Sequence, residues 1–256
     1  MDSDDLKKVV SDAKVIILDI EGTTSSIDFM RVKVFPYAEK HLKDYIAKNW
    51  EEVRKTILLM LEQGLIDPTE KNEVENNHGA FLSLLEHKMK DDRNDPLVKK
   101  IQGLVLCDAF KNGDILGHVY PDTVIALERW FHENKQIYTY STGTKAVQLE
   151  FFRNTIYGDK TQYIKDYFDT SIGSKLESEG FKFICNVSKV DANEVVFFSD
   201  RPKEICAATK CGLNAILIDR ESDFSMIEEE KDFLGYEDGR ISSFTEICID
   251  VKEVLL

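Results

Sequence analysis

Four short stretches of the chain carry side chains able to work on an anionic substrate. The first is Val15-Ile16-Ile17-Leu18-Asp19-Ile20-Glu21-Gly22-Thr23-Thr24. An acid at the carboxyl end of a buried parallel strand emerges into the crevice where such sheets bind ligands. A second acid two residues later lies on the same side while strand geometry persists. Asp19 and Glu21 hold these two places. Paired carboxylates suit a hard cation such as Mg2+, or a nucleophile beside a general acid/base. Gly22 permits a tight turn, and Thr23 and Thr24 offer hydroxyls and N–H groups to an anion. The plainer alternative is a strand end closed by a solvated turn, where Asp and Gly are common anyway.

The second stretch, Tyr140-Ser141-Thr142-Gly143-Thr144, stands at a strand-to-helix junction. A hydroxyl and free N–H groups at a helix start make an anion seat, which Ser141 and Thr142 would supply. An ordinary Ser/Thr cap explains the same letters when they stand alone. The third stretch is Ser174-Lys175-Leu176-Glu177-Ser178-Glu179, one lysine ahead of a predicted helix among acids. A solvated lysine paired with its neighbours competes there. The fourth, Phe198-Ser199-Asp200-Arg201-Pro202-Lys203-Glu204, ends a strand in an acid. Asp200 or Ser199 as a cap, with Pro202 in the first turn, is its plain reading. Any role for Glu204 stays open.

The elements that must position these groups are legible. Lys14–Ile20, Gln136–Tyr140, Glu194–Phe198 and Leu213–Ile218 are apolar, β-rich runs. Helices follow at 144–154 and 205–210, the latter with Gly212 as a natural stop. Strands alternating with helices imply a parallel, doubly wound α/β sheet. From 25 to 117 that alternation breaks. Leu42, Tyr45, Ile46, Trp50, Val53, Ile57 and Leu61 recur at helical steps, as do Phe81, Leu84, Leu85 and Met89. An insert of this size is far longer than a normal βα connection and should be a helical domain of its own, set as a cap over the strand ends. The expected division is a core of 1–24 with 118–256, and a cap of 25–117.

In this order the four motifs resemble the haloacid-dehalogenase (HAD) superfamily. More closely, Asp-Ile-Glu-Gly-Thr-Thr, Tyr-Ser-Thr-Gly-Thr and Lys-Leu-Glu-Ser-Glu-Gly-Phe resemble the enolase-phosphatase (acireductone synthase) family of methionine salvage. Phe35-Pro36-Tyr37 and Trp50-Glu51-Glu52 are similar to that family's cap. The resemblance implies a HAD-like core and an all-helical cap. It also implies enolisation and dephosphorylation of 2,3-diketo-5-methylthiopentyl-1-phosphate to 1,2-dihydroxy-3-keto-5-methylthiopentene, with Mg2+ as cofactor. It makes Asp19 the nucleophile and Glu21 and Lys175 catalytic partners. Ser141, Thr142 and Lys175 become substrate-binding residues, and Asp19, Glu21 and Asp200 the metal set. Ile218-Asp219-Arg220-Glu221 departs from the family's Arg-Pro-Gly-Asn, a change expected to matter only in its own loop. A generic sugar-phosphate phosphatase shares the four motifs; Glu21 and the cap segments argue against it. A dehalogenase would not need an acid at Glu21, and an inactive binding module would be expected to have lost Asp19, Lys175 or Asp200.

Composition sets the outer bounds. The 256 residues carry a formal net charge of −14 and 43% hydrophobic residues, enough for a full core. Such acidity disfavours non-specific nucleic-acid or anionic-membrane binding. The opening Met1-Asp2-Ser3-Asp4-Asp5 has the wrong sign for a secretory leader. Cys107, Cys185, Cys206, Cys211 and Cys248 lack metal spacing and suggest free, buried thiols in a reducing compartment. These features point to the cytoplasm, with the nucleus as an alternative, and nothing demands more than a monomer. His41, His78, His87, His118 and His132 show no ligand or triad spacing and should be exposed or half-buried.

Overall fold

The computed structural model describes residues 3–67, 71–91, 95–220 and 239–248. The chain divides into two compact units, Met1–Met30 with Leu116–Leu256, and Arg31–Ile115.

The first unit is built on a six-stranded, wholly parallel sheet. Its strands are β1 (Val15–Leu18), β2 (Gln136–Ser141), β3 (Asp166–Asp169), β4 (Val195–Ser199), β5 (Asn214–Ile218) and β6 (Arg240–Ile241). They lie in the order β3-β2-β1-β4-β5-β6. β1 is central because Val15, Ile16, Ile17 and Leu18 are all fully buried, which needs cover on both faces. On one face, Tyr138, Tyr140, Phe168, Phe181, Ile184 and Phe197 form a continuous core. On the other, Trp130 stacks on Phe198 and meets Phe244 edge-on.

The described helices of this unit include α1 (Ser3–Asp12), α7 (Pro121–His132), α8 (Lys145–Arg153), α9 (Ser178–Ser188), α10 (Pro202–Lys210) and α11 (Thr245–Cys248), the numbers between belonging to the second unit. Local sequence explains their starts. Thr144 accepts the Val147 N–H at the head of α8, and Pro202 occupies the first turn of α10. The expected strands and helices of this unit appear within a few residues. β3 and β6 are additions: Asp166-Tyr167-Phe168-Asp169 is short and ends in acids, and β6 is only two residues long.

The described elements of the second unit are all helices, among them α2 (Phe35–Lys48), α3 (Trp50–Glu62), α4 (Lys71–Asn76), α5 (His78–Asp91) and α6 (Pro96–Asn112). Leu42, Ile46, Val53, Ile57, Phe81, Leu85 and Ile101 are among the side chains that close its own core. Asp95 caps α6 through the Leu97 and Val98 N–H groups, and Gly113, at φ +77°, ends it in the left-handed region.

All five cysteines are free; Cys248 is buried and the other four are half-buried, so the expectation of buried thiols holds for one of them. The five histidines are exposed or half-buried, as expected. Among the described residues no helix is long and apolar enough to cross a membrane.

Candidate active site

Parallel pairing brings the carboxyl ends of β2, β1 and β4 side by side, because Leu18 pairs with Thr139 on one side and Phe198 on the other. Asp19, Ser141 and Asp200 therefore leave the sheet along one edge. Each is nine-tenths or more buried, an unusual state for two carboxylates.

Asp19 is fixed from three directions. Its main-chain N–H donates to the Phe198 carbonyl at 2.9 Å, continuing the ladder past the strand. Its Oδ1 accepts the Ile20 N–H at 2.7 Å and pairs with Lys175 Nζ at 2.7 Å. Its Oδ2 lies 3.5 Å from Ser199 Oγ. Behind it the chain turns tightly, with the N–H groups of Thr23, Thr24 and Ser25 converging on the Ile20 carbonyl. Gly22 stands at φ +74°, and a Cβ there would lie only 2.6 Å from Asp200 Cγ. The glycine thus serves twice, for the turn and for the approach of Asp200. Glu21 is half-buried in this turn and forms a backbone bridge with Ser25.

Lys175 is 4% exposed, which rules out the solvated surface lysine that its acidic neighbourhood in sequence allowed. Its ammonium pairs with Asp19 Oδ1 and Glu204 Oε2, both at 2.7 Å. Burial alone would lower its pKa, but the two carboxylates outweigh that and hold it above the ordinary lysine value. Glu204 also accepts from Ser199 Oγ at 2.7 Å. Burial, then the charge of Asp19, pushes the Glu204 carboxyl up to about 7. Asp200 is driven well above the usual carboxylate range, first by burial and then by Asp19 and Glu204. Its buried Oδ1 has no hydrogen-bond partner. One lysine among three acids leaves the group short of positive charge, and a hard cation would supply it. Among the described residues, however, no three His, Cys, Asp or Glu side chains gather as a ready-made metal site.

Ser141 is buried, and its Oγ accepts the Gly143 N–H at 3.4 Å; Thr142 is exposed. The loop between them and α8 is held by Gln148, a residue no sequence motif marked. Its amide nitrogen donates to the carbonyls of Gly143 (2.7 Å) and Phe168 (2.8 Å), and its oxygen accepts from Thr139 at 2.6 Å. A fully satisfied buried amide of this kind fixes a loop firmly. Glu204 is the other residue whose part only the fold reveals. One signal lay in its spacing, a helical turn beyond Asp200.

The segment after β5 reaches further than its own loop, contrary to expectation. Arg220 Nε donates to the Thr23 carbonyl at 2.9 Å, and its guanidinium pairs with buried Asp122 at 2.5 Å. It also lies over the rings of Tyr120 and Phe244. The loop thus braces the turn that follows Asp19; Glu221, the last residue of the noted departure, lies outside the described residues.

No family model matches the chain. Several curated proteins do. The chain is 37% identical over 237 residues to the enolase-phosphatase E1 of Anopheles gambiae, covering 88% of this chain and 80% of that protein. It is 36% identical over 236 residues to the enolase-phosphatase E1 of a Hydrogenobaculum strain, covering 91% and 98%. The protein of the same name from Aedes aegypti is 36% identical over 251 residues, but the chain spans only 22% of that longer protein, against 93% of itself. Among solved structures, the UTR4 protein of Saccharomyces cerevisiae superposes with a TM-score of 0.70 at 24% identity, over 91% of this chain and 98% of that one. The putative HAD-hydrolase YfnB of Bacillus subtilis, solved bound to magnesium, gives 0.54 at 13%, over 92% and 96%. These two likenesses establish the fold, an α/β HAD core carrying a helical cap. With relatives above 30% identity of which the chain covers 80% and 98%, it belongs to the enolase-phosphatase E1 family.

Proposed function

We propose that the chain converts 2,3-diketo-5-methylthiopentyl-1-phosphate to 1,2-dihydroxy-3-keto-5-methylthiopentene and phosphate, as a Mg2+-dependent enolase-phosphatase of methionine salvage. The observation that carries this reading is the buried Asp19 carboxylate, oriented by the Ile20 N–H and ion-paired to Lys175 beside an under-neutralised Asp200. Such a carboxylate suits a phosphoryl acceptor, dividing the displacement into formation and hydrolysis of an aspartyl-phosphate.

In this reading Asp19 Oδ2 attacks phosphorus, since Oδ1 is occupied by Lys175. Lys175 stays protonated and offsets the charge shared by Asp19 and the phosphoryl oxygens. Ser141 Oγ and the Thr142 N–H hold those oxygens. Asp19, Asp200 and the main-chain carbonyl of Glu21 would hold Mg2+, which draws anionic oxygens together and offsets their charge. The Glu21 carboxyl is then available as the acid/base that protonates the leaving oxygen and later activates water. The helical unit acts as a cap that selects the diketone and excludes water while the enediol forms.

The test follows acireductone absorbance and released phosphate together, with the diketone phosphate as substrate. Both signals should appear with Mg2+, vanish with EDTA, and return with Mg2+ rather than Zn2+, since the donor set is all oxygen. Phosphate release from simple esters without any acireductone signal would favour a generic phosphatase. Full activity after exhaustive chelation would overturn the metal assignment.

A further inference from the structure

We infer that Tyr140 is a positioning residue for Lys175: its hydroxyl pins the loop from which the lysine reaches Asp19. The inference rests on the reading of Lys175 given above. Tyr140 is the residue before Ser141 on β2 and is fully buried. Successive strand residues face opposite ways, so the two cannot serve the same group. The Tyr140 hydroxyl donates to the Gly173 carbonyl at 2.8 Å, two residues ahead of Lys175.

Two glycines make this contact possible. Gly173 stands at φ +139°, a backbone conformation that side chains rarely adopt, and a Cβ there would lie 2.8 Å from the Gly180 nitrogen. At Gly180, in the first turn of α9, a Cβ would collide with the Tyr140 hydroxyl and lie 2.8 Å from its Cζ. The ring therefore fills a slot that only glycine leaves open. Beyond Gly173 the chain tightens at once: the Leu176 N–H donates to Ser174 Oγ and the Glu177 N–H to the Ser174 carbonyl, both at 3.1 Å. Lys175 sits at the apex of that turn.

An aromatic file supports the same lysine from below. Tyr140 meets Phe181 edge-on at 5.4 Å, Phe181 meets Phe197 at 5.0 Å, and the Lys175 ammonium lies 5.9 Å from the Phe197 ring centroid. A lysine is a flexible chain with large rotamer entropy to lose, and holding its backbone still is one way to limit that loss. Burial pushes the Tyr140 hydroxyl up to about 12, so it remains a neutral donor across the working range of pH.

The variant Tyr140→Phe removes one oxygen and keeps the ring. Two measurements test it. Hydrogen exchange read by mass spectrometry should show protection across 173–177 falling about tenfold, the range of one hydrogen bond, with β1 and β4 unchanged. Hydrolysis of a simple aryl phosphate with Mg2+ should fall in kcat by about three- to tenfold. That loss should disappear when Tyr140→Phe is introduced into Lys175→Met, because the two residues act as one unit. Unchanged protection across 173–177 overturns the inference, and so does a kcat loss that repeats in full without the lysine. The exchange arm needs no turnover, so it decides the loop's anchoring even if Lys175 serves another reaction. An inactive wild-type protein with the expected exchange change would instead count against the function proposed for the site.

Discussion

The two units bury different things. The helical unit closes on Leu42, Ile46, Val53, Ile57, Phe81, Leu85 and their apolar neighbours. Among its described residues burial raises the phenols of Tyr37 and Tyr45, Tyr45 the more, with the Tyr45 hydroxyl directed to Glu52. The α/β unit buries Asp19, Lys175, Asp200 and Glu204 at one sheet edge, and Asp122 with Arg220 beside it. Burying charge is costly unless partners repay it, so a buried cluster short of cations signals a site built for something besides stability. An apolar helical core carries no such signal. It reads as a scaffold whose chemistry, if any, lies on its surface.

The sharpest way to break this contrast is to remove a site charge without changing shape. Asp19→Asn should abolish phosphate release, a loss of at least about 1,000-fold, because an amide is not a phosphoryl nucleophile. Thermal unfolding should keep its midpoint within a few degrees, since Lys175 retains Glu204 and the crowding of Asp19 on Asp200 is relieved. Residual turnover above a few per cent would remove Asp19 from the nucleophile role. A collapse in stability instead would mean that the buried charge is structural.

The next effect is read in pH. Glu204 is raised in the folded protein to about 7 from an ordinary carboxylate value near 4.5. Between those values the folded state binds more protons than the unfolded one, so stability falls as pH rises through the window. The metal-free protein should therefore lose stability from pH 4.5 to 7, by up to about 3 kcal/mol for this group. Glu204→Gln should lessen that slope, leaving the share that the raised Asp200 contributes, and adding Mg2+ to the wild type should reduce it, because a cation offsets the same repulsion. Denaturant unfolding across that pH range measures all three. A slope that rises with pH, or one the variant leaves intact, would contradict the assignment.

The same contrast explains what the sequence disclosed. β1, β2, β4 and β5 are strong apolar runs because strands covered on both faces must be, and each announces itself without tertiary context. Asp19, Ser141, Lys175 and Asp200 were legible because each lies at or beside a strand end or helix start, where residue type and position coincide. Glu204 and Gln148 were not. Both sit inside helices, where an isolated Glu or Gln reads as a solvated face, and only the fold shows that those faces meet β4 and the Ser141 loop. The reach of Arg220 is hidden for the same reason: its partner Thr23 lies 197 residues away, and nothing local records the pairing. β6 is too short to stand out from its flanks, and β3, no shorter than β1, lacks an apolar run because Asp166 and Asp169 bound its two aromatic residues.

The smallest effect on chemistry, and the last test, comes from the helical unit. Leu85 is fully buried in that unit's core, and Leu85→Ala leaves a cavity there, at a cost of about 2–5 kcal/mol. If the unit only selects the substrate, this loss should lower its melting transition without disturbing Asp19, Lys175 or Asp200. Aryl-phosphate hydrolysis per folded molecule should then match wild type within about twofold, well inside the tenfold that 1.4 kcal/mol of barrier would give. Turnover of the diketone phosphate should fall further, because a loosened helical surface orders that substrate less well and admits water during enolisation. Measuring the ratio of the two activities below the melting transition separates these outcomes. An equal fall in both would mean that the helical unit supports the phosphoryl chemistry itself, and the division of labour drawn from buried charge would fail.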